Sequence, residues 1–246
     1  MNDKLTVCWL SAGVSSFVAG YLIKDEIDKF IYIDIEDQHP DSMRFIKDCE
    51  TALDKPIEIL KSPYGSVESA CRGAGFISSP YGAKCTQILK KRVRQIWEHE
   101  NIDKLLTYVW GFDCNETKRA DRLVETMIMQ DHRFPLIEKN LTKDDAHGIC
   151  NHIGIKRPAM YDLGYNNNNC IGCVKGGMGY WNKIRADFPE VFANRAKMER
   201  DIGASCIKGV YLDELDPSRG RMSEEVMQDC SIFCQLAIDE AGEQNG

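Results

Sequence analysis

Short apolar runs stopped by small or polar residues mark out the first half of the chain. Leu5-Thr6-Val7-Cys8-Trp9-Leu10 is rich in strand formers and ends at Ser11-Ala12-Gly13-Val14-Ser15-Ser16. The chain then resumes with Phe17, Tyr21 and Lys24 at helical spacing, which predicts a buried strand, a tight loop and an amphipathic helix. Phe30-Ile31-Tyr32-Ile33-Asp34-Ile35 predicts a second strand, running into the acidic turn Glu36 to Asp41, and Met43, Phe45 and Ile46 carry a helix after it. Ile57 to Leu60 predicts a third strand. A long polar, glycine-bearing stretch from Ser62 to Ala83 reads as a loop, and loops of that length are usually functional or mobile. A basic helix is expected from about Cys85, with Lys90, Lys91, Arg92 and Arg94. Leu105 to Trp110 predicts a fourth strand, closed by Gly111.

Further along, Thr142-Lys143-Asp144-Asp145 has capping-box spacing and opens a helix to about Ile153; Pro158 stops any continuation. The pattern then changes. Tyr165-Asn166-Asn167-Asn168-Asn169 is turn chemistry before Cys170-Ile171-Gly172-Cys173, and two helical stretches follow, about 180–187 and 189–202. The tail holds the turn Asp216 to Arg221 and a last short helix. Strands alternating with helices predict an α/β fold, a Rossmann-like doubly wound parallel sheet with ligands beyond the strand C-termini. Ser11–Ser16, Asp34 and the segment Gly111 to Arg122 all fall at such ends. The composition shift divides the chain into an α/β domain, 1–162, and a cysteine-bearing helical extension, 163–246.

Composition narrows the chemistry. With 246 residues a sizeable core can be buried, and the formal charge of −7 argues against broad nonspecific nucleic-acid binding. No apolar run is long enough to span a bilayer, and Met1-Asn2-Asp3-Lys4 leads straight into a strand, so neither membrane nor secretory leader is expected. Eleven cysteines in such a chain read as ligands and nucleophiles in a reducing cytoplasm, not as a disulfide framework.

Two stretches carry candidate chemistry. In Ser11–Ser16 small residues let the backbone approach a ligand, hydroxyls add donors, and the following helix N-terminus suits a phosphate, pyrophosphate or sulfate. The loop lacks the Gly-Lys-Ser/Thr of a Walker A site and the Gly-x-Gly-x-x-Gly of a dinucleotide site; the plainer reading is a strand-to-helix turn that binds nothing. Cys170 and Cys173 can place two sulfurs on one metal, although redox pairs share the spacing. A closed site needs two more thiolates, from Cys85, Cys206, Cys230 or Cys234, and donor softness leaves zinc and iron–sulfur open.

Several blocks in order resemble the PAPS reductase and adenine-nucleotide alpha-hydrolase superfamily. Ser11-Ala12-Gly13-Val14-Ser15-Ser16 resembles its Ser-Gly-Gly-x-Asp-Ser pyrophosphate loop, departing at Ala12 and Ser15. Asp34 with His39-Pro40-Asp41, Lys84-Cys85-Thr86 to Lys90, and Gly111…Glu116…Arg119 are similar to three further blocks. Thr142 to Asp145 with Pro158, Tyr161, Gly164-Tyr165 and Cys170-x-x-Cys173 fits the family's closing order, nearest in flavour to phage and mobile-element members. The tail Asp229-Cys230 resembles the family's Glu-Cys tail, with Phe233 where that tail has His.

The resemblance implies a pyrophosphate-loop domain of HUP type that binds PAPS, adenosine phosphosulfate (APS) or ATP. Ser11–Ser16 would hold phosphate or sulfate, and Asp34 would contact ribose or magnesium. Gly111 and Glu116 would line the site, while Arg119 and Lys90 would neutralise charge. It implies a four-iron, four-sulfur cluster (4Fe-4S) on Cys85, Cys170 and Cys173, with Cys206 as fourth ligand, and Cys230 as nucleophile. The expected activity is sulfonucleotide reduction or related thiol transfer, served by a thiol or protein donor, in a possible homodimer. The rivals are ATP-dependent thiolation of a nucleic acid or small molecule, and a non-catalytic zinc-knuckle scaffold on a degenerate nucleotide fold. Ser15, in place of the Asp that goes with many ATP-cleaving members, tilts toward the reductase-like branch.

Overall fold

A computed structural model describes residues 3–79, 82–225, 227 and 230. The chain divides into two interleaved compact units. The first holds 1–34, 40–61 and 94–164; the second holds 35–39, 62–93 and 165–246.

The first unit is built on a five-stranded parallel sheet in the order β3-β2-β1-β6-β7. Its strands are β1 (Lys4–Leu10), β2 (Lys29–Asp34), β3 (Ile57–Lys61), β6 (Leu105–Val109) and β7 (Asp131–Arg133). The chain adds strands outward on one side through β3 and then returns to add β6 and β7 on the other. The order therefore reverses between β1 and β6. Side chains alternate across a strand, and the sheet uses both faces. Cys8, Leu10, Phe30, Tyr32 and Val109 enter one core with Val14, Phe17 and Val18 of α1 (Val14–Leu22), Phe45 and Ile46 of α2 (Asp41–Leu53), and Ala146 and Cys150 of α7 (Lys143–His152). On the other face Trp9 meets Trp97 of α4 (Arg92–Glu100) and Tyr108 edge-on, at 5.5 and 6.0 Å between ring centroids. This is the expected Rossmann-like α/β arrangement. The Thr142 capping box is present in full, its hydroxyl accepting from Asp145 N–H while the Asp145 carboxylate accepts from Thr142 N–H.

Among the described residues of the second unit, strand pairing consists of a two-residue antiparallel ladder, β4 (Ser78–Ser79) with β5 (Gly82–Ala83), and an isolated bridge between Ile207 and Val210. The stretch from Ser62, expected as loop, holds a helix, α3 (Val67–Ala74). Ser66 caps its first turn, Gly75 ends it at φ +69°, and Val67, Ala70 and Cys71 form its buried side. The basic helix expected from Cys85 begins as a π-helical stretch, Thr86–Lys91, before α4. Such wide turns are uncommon and tend to occur at functional sites. Its Lys90 is buried rather than solvated. Past the knuckle come α9 (Met178–Asp187) and α10 (Pro189–Ile202). Short helices α5 (Thr117–Thr126), α6 (Pro135–Glu138) and α8 (Ala159–Asp162) complete the first unit. No helix among the described residues is long and apolar enough to cross a membrane.

Candidate functional site

In the first unit the loops after β1 and β6 flank the point where strand order reverses, the place where ligands enter open α/β sheets. Ala12 takes a left-handed conformation (φ +57°), which turns the chain sharply out of β1. Ser16 braces the turn from within. Its Oγ accepts from Ser11 N–H at 3.1 Å, donates to Gly13 O at 2.9 Å and, its one proton so used, accepts from Ser11 Oγ at 3.0 Å. Gly13 N–H donates to Ser11 Oγ at 3.3 Å. Gly13 is the N-cap of α1, with no side-chain cap and no acidic residue in the first turn. Unlike Ser66 of α3 and Thr142 of α7, Gly13 has no side chain with which to cap that first turn.

Gly111 is what lets the second loop close on the first. A Cβ there would lie 2.5 Å from Ser16 Cα and N. Beyond it, Asp113 Oδ1 accepts from Asn115 N–H at 2.7 Å, and Glu116 Oε2 accepts from Asp113 N–H at 3.2 Å. Arg119, almost wholly buried, donates to Glu116 Oε1 at 2.6 Å, and its guanidinium lies over the Phe112 ring at 4.3 Å. Ser11–Ser16, Gly111, Glu116 and Arg119 thus stand beyond the C-terminal ends of the adjacent strands β1 and β6 and at the starts of the helices that follow them. Asp34 ends β2 at the same edge of the sheet, half-buried.

In the second unit the knuckle 170–173 is held from several sides. Tyr180 Oη accepts from Cys173 N–H at 2.9 Å and donates to Cys170 O at 3.2 Å. Arg195, buried on α10, donates to Gly172 O at 3.3 Å and pairs with Asp37. Asp37 O in turn accepts from Ile171 N–H at 2.8 Å. Gly172 sits at φ +70°, and a Cβ there would meet Val191 at 2.6 Å. These supports were invisible as such in the sequence, since Asp37, Tyr180 and Arg195 carry no shared motif.

Cys170, Cys173 and Cys230 lie near enough to feel one another's charge. Burial raises the Cys170 and Cys173 thiols above the ordinary range, with Lys90 opposing this at Cys170 and Lys175 at Cys173. Lys90 Nζ donates to Cys230 O at 2.6 Å; desolvation works against its charge, while the Cys230 and Cys170 groups beside it work the other way and leave its pKa raised. The structure therefore places Lys90 among thiols. Cys85, also buried, opens the π-helical stretch, and its N–H reaches the Cys71 thiol, which burial pushes up to about 11. Cys206 lies within electrostatic reach of Cys71 and Arg195, its N–H on the buried Glu199 carboxylate, which also accepts from Leu212 N–H at 2.6 Å. Cys234 and Phe233 fall outside the described residues.

Among the described residues no three His, Cys, Asp or Glu side chains are grouped so as to hold a metal ion. The four thiols expected as cluster ligands do not form a closed donor set in this arrangement.

No family model matches the chain, and no curated protein matches it. Among solved structures the chain is similar to phosphoadenylyl-sulfate (PAPS) reductase from Candida auris, determined as a phosphate complex. The TM-score is 0.48 and the identity 16%, over 69% of this chain and 81% of that one.

Proposed function

We propose that the chain is an adenine-nucleotide-dependent enzyme of sulfur chemistry, similar in kind to the PAPS reductases. One observation carries the reading: at the strand-order reversal, the serine-braced loop presents an uncapped helix N-terminus, and Gly111 brings the β6 loop directly onto it. Main-chain N–H groups at such an end suit a phosphate or sulfate. In this reading Ser11 to Ser16 hold that group, Asp34 contacts ribose or magnesium, and Gly111, Glu116 and Arg119 line and charge the site. Among the thiols Cys230 is the proposed nucleophile, with Lys90 as its neighbour.

Calorimetric titration of the full chain with PAPS, APS and ATP tests the proposal. At least one should bind, and Ser11→Ala and Ser16→Ala should each weaken it by roughly 1.5–3 kcal/mol, the scale of a hydrogen bond to a charged group. Absence of binding by all three nucleotides would overturn the reading. Cys230→Ser should abolish turnover of the bound sulfonucleotide while leaving its affinity unchanged; retained turnover would move the assignment to ATP-dependent sulfur transfer. No step of this proposal passes through a 4Fe-4S cluster. Iron analysis and a visible spectrum of anaerobically purified protein test that expectation separately, with about four irons per chain required.

A further inference from the structure

Within the first unit, aromatic side chains on one face of the parallel sheet touch one after another. Trp97 of α4 meets Trp9 of β1 at 5.5 Å between ring centroids, Trp9 meets Tyr108 of β6 at 6.0 Å, and Tyr108 meets Trp110 at 5.7 Å. All four are buried. Tyr108 Oη donates to Glu98 Oε1 at 2.7 Å, and Trp110 Nε1 donates to His132 Nδ1 at 3.1 Å. Buried Tyr and Trp usually find some partner for their one polar hydrogen. Here both partners are bases that can keep the proton, where a carbonyl could not. Arg94 pairs with the same Glu98 carboxylate at 3.3 Å. Burial, helped by the Glu98 charge, pushes the Tyr108 phenol above its ordinary range, so the resting residue keeps its proton.

Indole and phenol rings give up a single electron more readily than most side chains, and the oxidised ring becomes a strong acid. A base already hydrogen-bonded to it makes the loss easier by taking the proton. We propose that Trp97, Trp9, Tyr108 and Trp110 form a hole-transfer relay that draws a one-electron oxidation to Tyr108, with Glu98 and His132 as its proton acceptors. The oxidant is a radical of the class that attacks indoles, an oxygen-centred radical for example. Trp110 gives one electron to that radical and its Nε1 proton to His132. Tyr108 then gives one electron to the Trp110 radical and its Oη proton to Glu98, while His132 returns its proton to Trp110 Nε1. A hole made at Trp97 reaches Tyr108 through Trp9 by electron exchange alone. The products are the reduced oxidant, intact indoles and a neutral tyrosyl radical facing protonated Glu98, shielded from solvent. The relay is independent of the nucleotide reading, because its test follows radicals and not turnover.

The test is pulse radiolysis of the full chain with the azidyl radical, a one-electron oxidant selective for indoles. Three of the four tryptophans belong to the relay, so this oxidant feeds it. Transient absorption should show tryptophanyl radical decaying into tyrosyl radical at a rate independent of protein concentration. Tyr108→Phe should remove that phase and leave the tryptophanyl radical long-lived. Glu98→Gln keeps a hydrogen-bond acceptor but cannot keep a proton, and should slow the phase by about a hundredfold, the scale of a lost positioned base. The unmodified protein, whose folding is not in question, should transfer more slowly in heavy water than in light water. A tyrosyl phase that persists in Tyr108→Phe, or equal rates in the two waters, would overturn the relay.

Discussion

The absence of a side chain at Gly111 decides how closely the loops after β1 and β6 approach. The atoms a methyl group would strike are the backbone of Ser16 and Ser15, which cannot swing aside as a flexible side chain can. Gly111→Ala should therefore cost about 1–3 kcal/mol or more, as overpacking does, and should weaken nucleotide binding beyond that by displacing the serine loop. Urea denaturation and calorimetry on the same variant separate the two effects. His132 sets a pH dependence in the same unit. Its Nδ1 accepts from Trp110 Nε1 at 3.1 Å while Nε2 faces Met127 O at 2.9 Å, a geometry suited to the neutral ring. Burial lowers its pKa below the ordinary value near 6.5. The unfolded chain thus takes up the proton first. The stabilisation is complete above about pH 6.5 and declines as the pH falls below it, levelling off once the folded form also protonates. Urea midpoints between pH 8 and pH 5 should show the decline, and His132→Gln should flatten it.

Among the elements, the contrast between helix starts matters most. α3 and α7 cap their first turns with the Ser66 and Thr142 side chains, whereas the N-cap of α1 is Gly13, which has no side chain to offer. Caps add stability, and α1 goes without a side-chain cap beside the strand-order reversal, the feature on which the proposed anion site rests. The knuckle shows the opposite economy, with its loop carbonyls and N–H groups taken up by Tyr180, Arg195 and Asp37. Tyr180→Phe leaves Cys173 N–H and Cys170 O buried without their partner. It should cost about 1–3 kcal/mol in thermal or urea unfolding and raise amide exchange at Cys173, with no change at α1. Equal protection at Cys173 in the variant would show that Tyr180 does not hold the knuckle.

At the scale of the whole molecule, charge bears on the nucleic-acid rival. A chain with a formal charge of −7 pays electrostatic repulsion on approaching a polyanion, and its buried cations Lys90, Arg94, Arg119 and Arg195 are turned inward. Arg94, for one, donates to Met127 Sδ and pairs with Glu98 at 3.3 Å. The expected outcome is no retention of duplex DNA or RNA at about 150 mM salt, measured by fluorescence anisotropy. Saturable binding at that salt would favour thiolation of a nucleic acid over sulfonucleotide chemistry. Each compact unit is assembled from separated stretches of chain, so the knuckle supports come from Asp37, Tyr180 and Arg195 rather than from one neighbourhood in sequence.

What the sequence determined by itself is what short-range physics controls. The β1–loop–α1 unit, strands β2, β3 and β6, the Thr142 box and helices α9 and α10 were all legible, because apolar periodicity, caps and prolines act within a few residues. The eight-residue α3 was hidden in a polar stretch with several glycines, where its apolar side is brief and its only strong marker is the Ser66 cap. β7 was hidden for a different reason: Asp131-His132-Arg133 has no strand composition and pairs because β6 offers an open edge. The candidate loop could be picked out by its small residues, but its bracing by Ser16 and its contact with Gly111 could not. Burial of Lys90, Arg119 and Arg195 and the hydrogen bonds from Asn166 to Glu225 and from Cys230 to Asn169 were likewise decided only in the tertiary structure. Asn169 and Cys230 stand 61 residues apart, and the pairing of a side-chain amide with a distant backbone leaves no periodic trace along the chain.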